Sequence, residues 1–234
     1  MALSNRNPRP IAQTNPRSPI TEAYRTVRTN VQFASVDGDV RVILVTSSLP
    51  SEGKTATACN IAVVSAQAGK RVLLIDADMR KPQVHQRFQV SNLYGLTSVL
   101  IKERSFEECV VESQTPGLMV LPSGPIPPNP YEMLASKMFS DFILSCKEKY
   151  DVVIVDSPPI LSVADGLMIS RSADGVVFVV DAKKTNRAHA KKATLALQQV
   201  NARILGVVLN RLEKKVAGEY YYYNYYSSGE PASV

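Results

Sequence analysis

Residues 47–55 read Ser47-Ser48-Leu49-Pro50-Ser51-Glu52-Gly53-Lys54-Thr55, a glycine followed directly by a cation and a hydroxyl. Side chains in that order suit a chain of phosphates. Backbone N–H groups of a loop and a helix start surround the oxygens, the lysine ammonium adds a full positive charge, and the hydroxyl is placed to coordinate Mg²⁺. Against the pattern G-x-x-x-x-G-K-S/T the stretch matches at Gly53, Lys54 and Thr55, with Ser48 in place of the first glycine. The expected nucleotide contacts are Ser48, Pro50, Ser51, Glu52, Gly53, Lys54, Thr55 and Ala56. Three acids add to the case: Asp76 and Asp78 close VLLIDAD, and Asp156 closes VVIVD. One acid at a strand end is as often a helix cap. Three beside such a loop match the preference of Mg²⁺ for a few oxygen ligands, the rest of its shell being water and phosphate.

These residues need a scaffold that brings strand ends together. Short apolar runs recur at 41–47, 71–77, 151–157, 175–181 and 203–210, rich in β-branched residues and apolar on both faces, which is the signature of buried parallel strands. Helix-compatible stretches lie between several of them, at 54–68, 130–149, 163–171 and 187–200. Alternation of the two predicts an α/β fold, a doubly wound and mostly parallel sheet of P-loop NTPase type, with ligand loops at the carboxyl ends of the strands.

The remaining segments read as accessories. Residues 1–19 hold Pro8, Pro10, Pro16 and Pro19 among polar residues and read as a flexible, extended leader. A helix follows over 21–33, within a domain spanning 20–215, and LPSGPIPPNP at 121–130 reads as a surface loop. Residues 216–234 lack core-forming periodicity and read as a disordered tail. The chain has 234 residues, 45% of them hydrophobic, enough for one substantial core. No apolar run is long enough to span a membrane and no signal peptide opens the sequence, so a cytoplasmic location is expected. Three cysteines at wide spacing read as reduced core thiols. The net charge of +6 is scattered, with a modest concentration at Lys183, Lys184, Arg187, Lys191 and Lys192; a solvated face is expected there and no direct nucleic-acid binding.

Together these residues resemble the bacterial tyrosine kinases, in the stand-alone form associated with capsular and extracellular polysaccharide synthesis; the likeness runs from about Pro19 to Tyr226. In that family a loop of S-x-x-P-G-E-G-K-S/T type is usual, so Ser48 is ordinary there and Ser51 departs from the common glycine. LLIDADMR over 73–80 matches the family's D-x-D-x-R motif, and 152–156 matches its Walker B strand. The resemblance implies ATP and Mg²⁺ as cofactors, Lys54, Asp76 and Asp78 as catalytic residues, and Thr55, Asp76 and Asp156 at the metal. Asp78 is the candidate base, with its role and that of Asp76 exchangeable at this stage. The E-x-x-R-x-x-R helix used for ring assembly matches Glu22, Arg25 and Arg28. The terminal tyrosine cluster, phosphorylated between subunits, matches Tyr220, Tyr221, Tyr222, Tyr223, Tyr225 and Tyr226. A homo-oligomeric ring, external tyrosine substrates, and a separate membrane adaptor that activates the chain and recruits it to the inner face of the membrane are also implied. Asn210 and Arg211, ending the last strand, are candidates for the nucleotide base; a loop residue satisfying its own backbone reads equally well for Asn210.

Two rivals share the sheet and the acids. One is a septum-positioning or DNA-partitioning ATPase of the related deviant P-loop group, which usually carries a lysine near where Ser48 stands. The other is an ATP-gated, non-catalytic scaffold of polysaccharide assembly.

Overall fold

The computed structural model describes residues 9–34 and 40–212. Among them the sheet has seven strands: β1 (Val42–Ser47), β2 (Val72–Asp76), β3 (Val111–Glu112), β4 (Leu118–Leu121), β5 (Val152–Asp156), β6 (Gly175–Asp181) and β7 (Ile204–Asn210). Their order is β3-β4-β2-β5-β1-β6-β7, with every pairing parallel except that of β3 with β4. The helices are α1 (Ile11–Thr14), α2 (Pro19–Phe33), α3 (Lys54–Ala66), α4 (Val84–Phe88), α5 (Leu96–Leu100), α6 (Phe106–Cys109), α7 (Pro130–Leu134), α8 (Lys137–Lys149), α9 (Asp165–Ser170) and α10 (Arg187–Gln199).

Alternation along each strand builds two cores. Leu44, Leu73, Val153, Val155 and Phe178 face one side, against Phe139 and Ile143 of α8, Ile169 of α9 and Leu197 of α10. Ile43, Val45, Leu74, Ile154 and Val179 face the other, against Ile61, Ala62 and Val63 of α3. Side chains of successive strand residues point to opposite faces, so a strand covered on both sides must be apolar throughout, and the expected sheet is the one found. Leu44, Leu73 and Phe178 are fully buried, each burial being worth about 1.5–3 kcal/mol.

Two expectations need correction, and one strand was not expected. Residues 9–18 are not an extended leader. Ile11–Thr14 form a helical turn; the Ala12 amide donates to Asn60 Oδ1 at 2.9 Å and Gln67 Nε2 donates to the Ala12 carbonyl at 2.9 Å. The prolines are compatible with this because Pro10 flanks the turn and Pro19 opens α2 at its first position, where its missing N–H would have had no partner. The helix expected over 130–149 is two helices, because the Ser136 hydroxyl accepts from the Phe139 amide and starts α8 afresh. Finally β4, only LMVL between Gly117 and Pro122, is too short to show a period, yet it pairs with β2 over its full length. Residues 1–8 and the tail over 216–234 lie outside the described residues.

Candidate active site

The parallel strands end on one side, and the loops leaving β1, β2, β5 and β6 meet there. The loop after β1 starts α3 at Gly53, whose φ of +102° is a left-handed conformation open to glycine. Side-chain space is also missing: a Cβ on Gly53 would lie 2.0 Å from Asn210 Nδ2. Ser51 is left-handed too, at φ +68°. Glu52 braces the loop from within. Its buried carboxylate accepts Ser48 Oγ at 2.8 Å and the Leu49 amide at 3.0 Å, and it takes Thr185 Oγ1 at 2.5 Å from the loop after β6.

Lys54 points into the acids. Its ammonium lies 2.7 Å from Asp78 Oδ2, 3.8 Å from Asp156 Oδ1 and 3.3 Å from Thr55 Oγ1. Burial alone would lower the lysine pKa, but the charges of Asp156 and Asp78 outweigh it and the ammonium is held protonated. Asp76 and Asp156 are directly paired across β2 and β5, both fully buried. Burial, with the Asp156 charge beside it, pushes Asp76 up to about 8. Burial raises Asp156 to about 6 against the opposing pull of Lys54. The two carboxylates differ in their partners. Asp76 accepts three backbone amides, Asp78 at 3.2 Å, Gln83 at 3.0 Å and Val84 at 2.9 Å. Neither oxygen of Asp156 has a hydrogen-bond partner within direct reach, although the neighbouring Thr55 hydroxyl also works against its rise. Lys54 faces Asp156 from 3.8 Å without a hydrogen bond, and buried carboxylate oxygens that accept no hydrogen bond are costly unless a cation or its water shell meets them more closely, so this site fits Mg²⁺.

A family model described as an AAA domain matches residues 40–209. The tyrosine-protein kinase YwqD of Bacillus subtilis (strain 168) is 49% identical over 213 residues, which are 91% of this chain and 90% of YwqD. The chain belongs to the bacterial tyrosine-kinase family. The crystal structure of the chimerical protein CapA2B2 superposes on this kinase with a TM-score of 0.85 at 39% identity, covering 88% of this chain and 90% of that one. The septum site-determining protein MinD from Pyrococcus horikoshii OT3, complexed with Mg-ADP, superposes at 0.64 with 22% identity over 76% of each chain, a likeness of fold.

In the kinase, Ser48, Glu52, Gly53, Lys54, Thr55, Asp76, Asp78 and Asp156 lie together at the carboxyl ends of β1, β2 and β5. Asn210 and Arg211 reach them from the edge strand, and both are already engaged. Asn210 Nδ2 donates to the Glu52 carbonyl at 3.0 Å while its Oδ1 accepts the Arg211 amide at 3.0 Å. Arg211 donates to the Ser51 carbonyl at 3.1 Å and pairs with buried Asp181. In the structure these two residues therefore support the loop. On α2, Glu22 and Arg25 pair with each other, and Arg28 Nη1 donates to the Val64 carbonyl of α3 at 2.9 Å. The six tail tyrosines lie outside the described residues. Thr185, Asp181 and Asp165 are not among the residues expected at the site. Asp181 carried a usable signal, since it closes the apolar run GVVFVVD as Asp156 closes VVIVD. Thr185 and Asp165 carried none, because only folding brings them to their partners.

Proposed function

We propose that the chain transfers the γ-phosphoryl group of ATP to tyrosine oxygens, in the tail of a neighbouring subunit and in other proteins. The observation that carries this reading is the buried Lys54 ammonium lying between Asp78 and Asp156, whose oxygens accept no hydrogen bond from the described residues. In the transfer a tyrosine O–P bond forms, the bond from the γ-phosphorus to the β,γ-bridging oxygen breaks, and ADP leaves. The phenolic proton passes to Asp78. A phenol with a pKa near 10 is only about one part in a thousand ionised at pH 7, so a carboxylate accepting its proton lowers the barrier.

Each residue has a part. The loop amides from Ser48 to Ala56 and the start of α3 hold the phosphates, and Lys54 moves from Asp78 onto their oxygens as ATP enters. That exchange frees Asp78 to take the proton. Asp76, tied by three amides, fixes the loop and faces the metal position from β2. Thr55 and Asp156 would hold Mg²⁺, which when bound neutralises charge on the phosphate oxygens. Glu22, exposed on α2, and its half-buried partner Arg25 join copies into a ring with Arg28 behind them. No helix among the described residues is long and apolar enough to cross a membrane; we place the chain at the inner face of the membrane through a separate adaptor that also activates it. Regulation of capsule or exopolysaccharide synthesis is the role that fits such an assembly.

Mass spectrometry of phosphotyrosine after incubation with Mg·ATP and the activating adaptor tests the reading, and labelling within 220–226 is expected. Mixing Lys54→Met with a tail-deleted but otherwise intact chain should label the tail of the former. Absence of that signal rejects transfer between subunits.

A further inference from the structure

The loops that carry the acids are held relative to each other by the first turn of α9. We infer that Asp165 is a positioning residue for phosphoryl transfer, acting through Arg80 to fix the loop that carries Asp76 and Asp78. This rests on the tyrosine-transfer reading above.

Asp165 is 1% exposed and receives two parallel bonds from one guanidinium, Arg80 Nε at 2.7 Å and Nη2 at 3.1 Å. Such a fork constrains both direction and distance, which a lysine cannot do. Arg80 stands two residues beyond Asp78, so the fork ties the end of this loop to α9. The next residue of α9 reaches the other acid loop. A Cβ on Gly166 would lie 2.8 Å from Ile160 Cδ1, 3.1 Å from the Pro158 carbonyl and 3.6 Å from Ser157 Oγ, so the α9 backbone rests directly on the segment after Asp156. That segment is itself tied to β1 and the phosphate loop. The Ser157 amide donates to the Val45 carbonyl at 3.2 Å, Ile160 to Ser47 at 2.9 Å and Leu161 to Ser48 at 3.2 Å.

Asp165 and Gly166 thus span the two loops whose spacing sets where Asp78 stands relative to Lys54 and Asp156. The phosphate loop has braces of its own in Glu52 and Asn210, which do not pass through α9. Removing the Asp165 charge should therefore misplace Asp78 and leave the phosphate cradle intact. An acid that merely favours the start of a helix would behave differently, lowering stability, nucleotide affinity and turnover together.

The test uses the full chain as wild type, Asp165→Asn, Arg80→Lys and the double variant. Affinity is read by titration with Mg·ADP, and initial rates of tail phosphotyrosine formation are followed against ATP concentration. A displacement of the order of 1 Å can cost up to about a hundredfold in rate. We expect kcat to fall at least about tenfold in Asp165→Asn, with KM for ATP and the Kd for ADP changed less than about threefold. The double variant should match Asp165→Asn, because both remove one fork. The inference is overturned if kcat stays within about twofold of wild type, if affinity and turnover worsen in parallel, or if the two losses multiply in the double variant. Arg80 is the more exposed partner, so should Asp165→Asn fail to fold, Arg80→Lys decides by the same criteria. Wild type that binds Mg·ADP yet forms no phosphotyrosine when supplied with its activating adaptor would sink the tyrosine-transfer reading and this inference with it; loss confined to the variants leaves that reading standing.

Discussion

Lys54 is the residue whose removal separates binding from structure most sharply. Lys54→Met takes away the ammonium that lies 2.7 Å from Asp78 and 3.8 Å from Asp156, and the phosphate oxygens lose a charged partner. Phosphotyrosine formation, read by mass spectrometry, should fall by at least about a hundredfold, the usual cost of deleting one preorganised electrostatic contact at a reacting group. The acids make a second prediction, on pH. Asp76 and Asp156 titrate above an ordinary carboxylate, at about 8 and about 6, whereas in the unfolded chain they titrate near 4. Between those values the folded chain holds protons that the unfolded chain has released, so stability without metal decreases as pH rises from about 4 to about 8. Denaturation in the presence of a chelator should show a lower midpoint at pH 8 than at pH 5.5, and Mg·ADP should narrow the gap. A midpoint that rises over this interval would contradict the raised values. Ser51 offers a third. It occupies φ +68° where the family commonly has glycine, and left-handed backbone costs an ordinary residue about 1–2 kcal/mol. Glycine's greater freedom in the unfolded chain returns part of that gain. Ser51→Gly should raise the thermal midpoint by roughly 2 °C, readable by calorimetry, without loss of nucleotide affinity.

Among the elements, α1 is the most informative, because composition argued against it. Four prolines among polar residues predict an extended leader, and residues 9–18 nevertheless pack on α3 through Ala12, Asn60 and Gln67. Local propensity was overridden by tertiary contacts, among them the hydrogen bonds of Ala12 to Asn60 and Gln67, of Arg9 to Gln89 and Gln114 and of Gln13 to Gln114, with Ala12 fully buried. Asn60→Leu removes the acceptor of the Ala12 amide and leaves a buried donor unpaired. The expected loss is about 1–3 kcal/mol in denaturant unfolding, and deletion of residues 1–15 should cost a comparable amount. If truncation leaves stability unchanged, the packed role of this segment is wrong. The edge strand β7 shows the same effect in reverse: Asn210 was legible as a residue near the nucleotide, but its amide meets the Glu52 carbonyl only because β7 lies beside β6, next to β1.

At the scale of the whole molecule, the proposed ring assigns assembly to α2 and transfer between copies to the tail. Arg28 has an intramolecular partner in the Val64 carbonyl, so its replacement mixes two effects. Among the described residues the Glu22 and Arg25 side chains pair with each other at the surface of α2, which makes Glu22→Ala with Arg25→Ala the cleaner variant. Sedimentation should show smaller assemblies for it at equal concentration, with unfolding changed by less than about 1 kcal/mol, the range of an exposed ion pair. Unchanged assembly would remove these residues from the interface.

Much of this protein was determined locally. Five apolar runs, one glycine-lysine-threonine step and three strand-end acids required a buried parallel sheet with an anion cradle at its carboxyl edge, because backbone geometry and charge act over a few residues. Tertiary structure alone decided which acid is satisfied and which is bare, where β4 pairs, that Ala12 is buried, and that Arg80 meets Asp165 across 85 positions of chain. Those contacts join segments distant in sequence, and their energies exist only once the intervening chain has folded around the shared core.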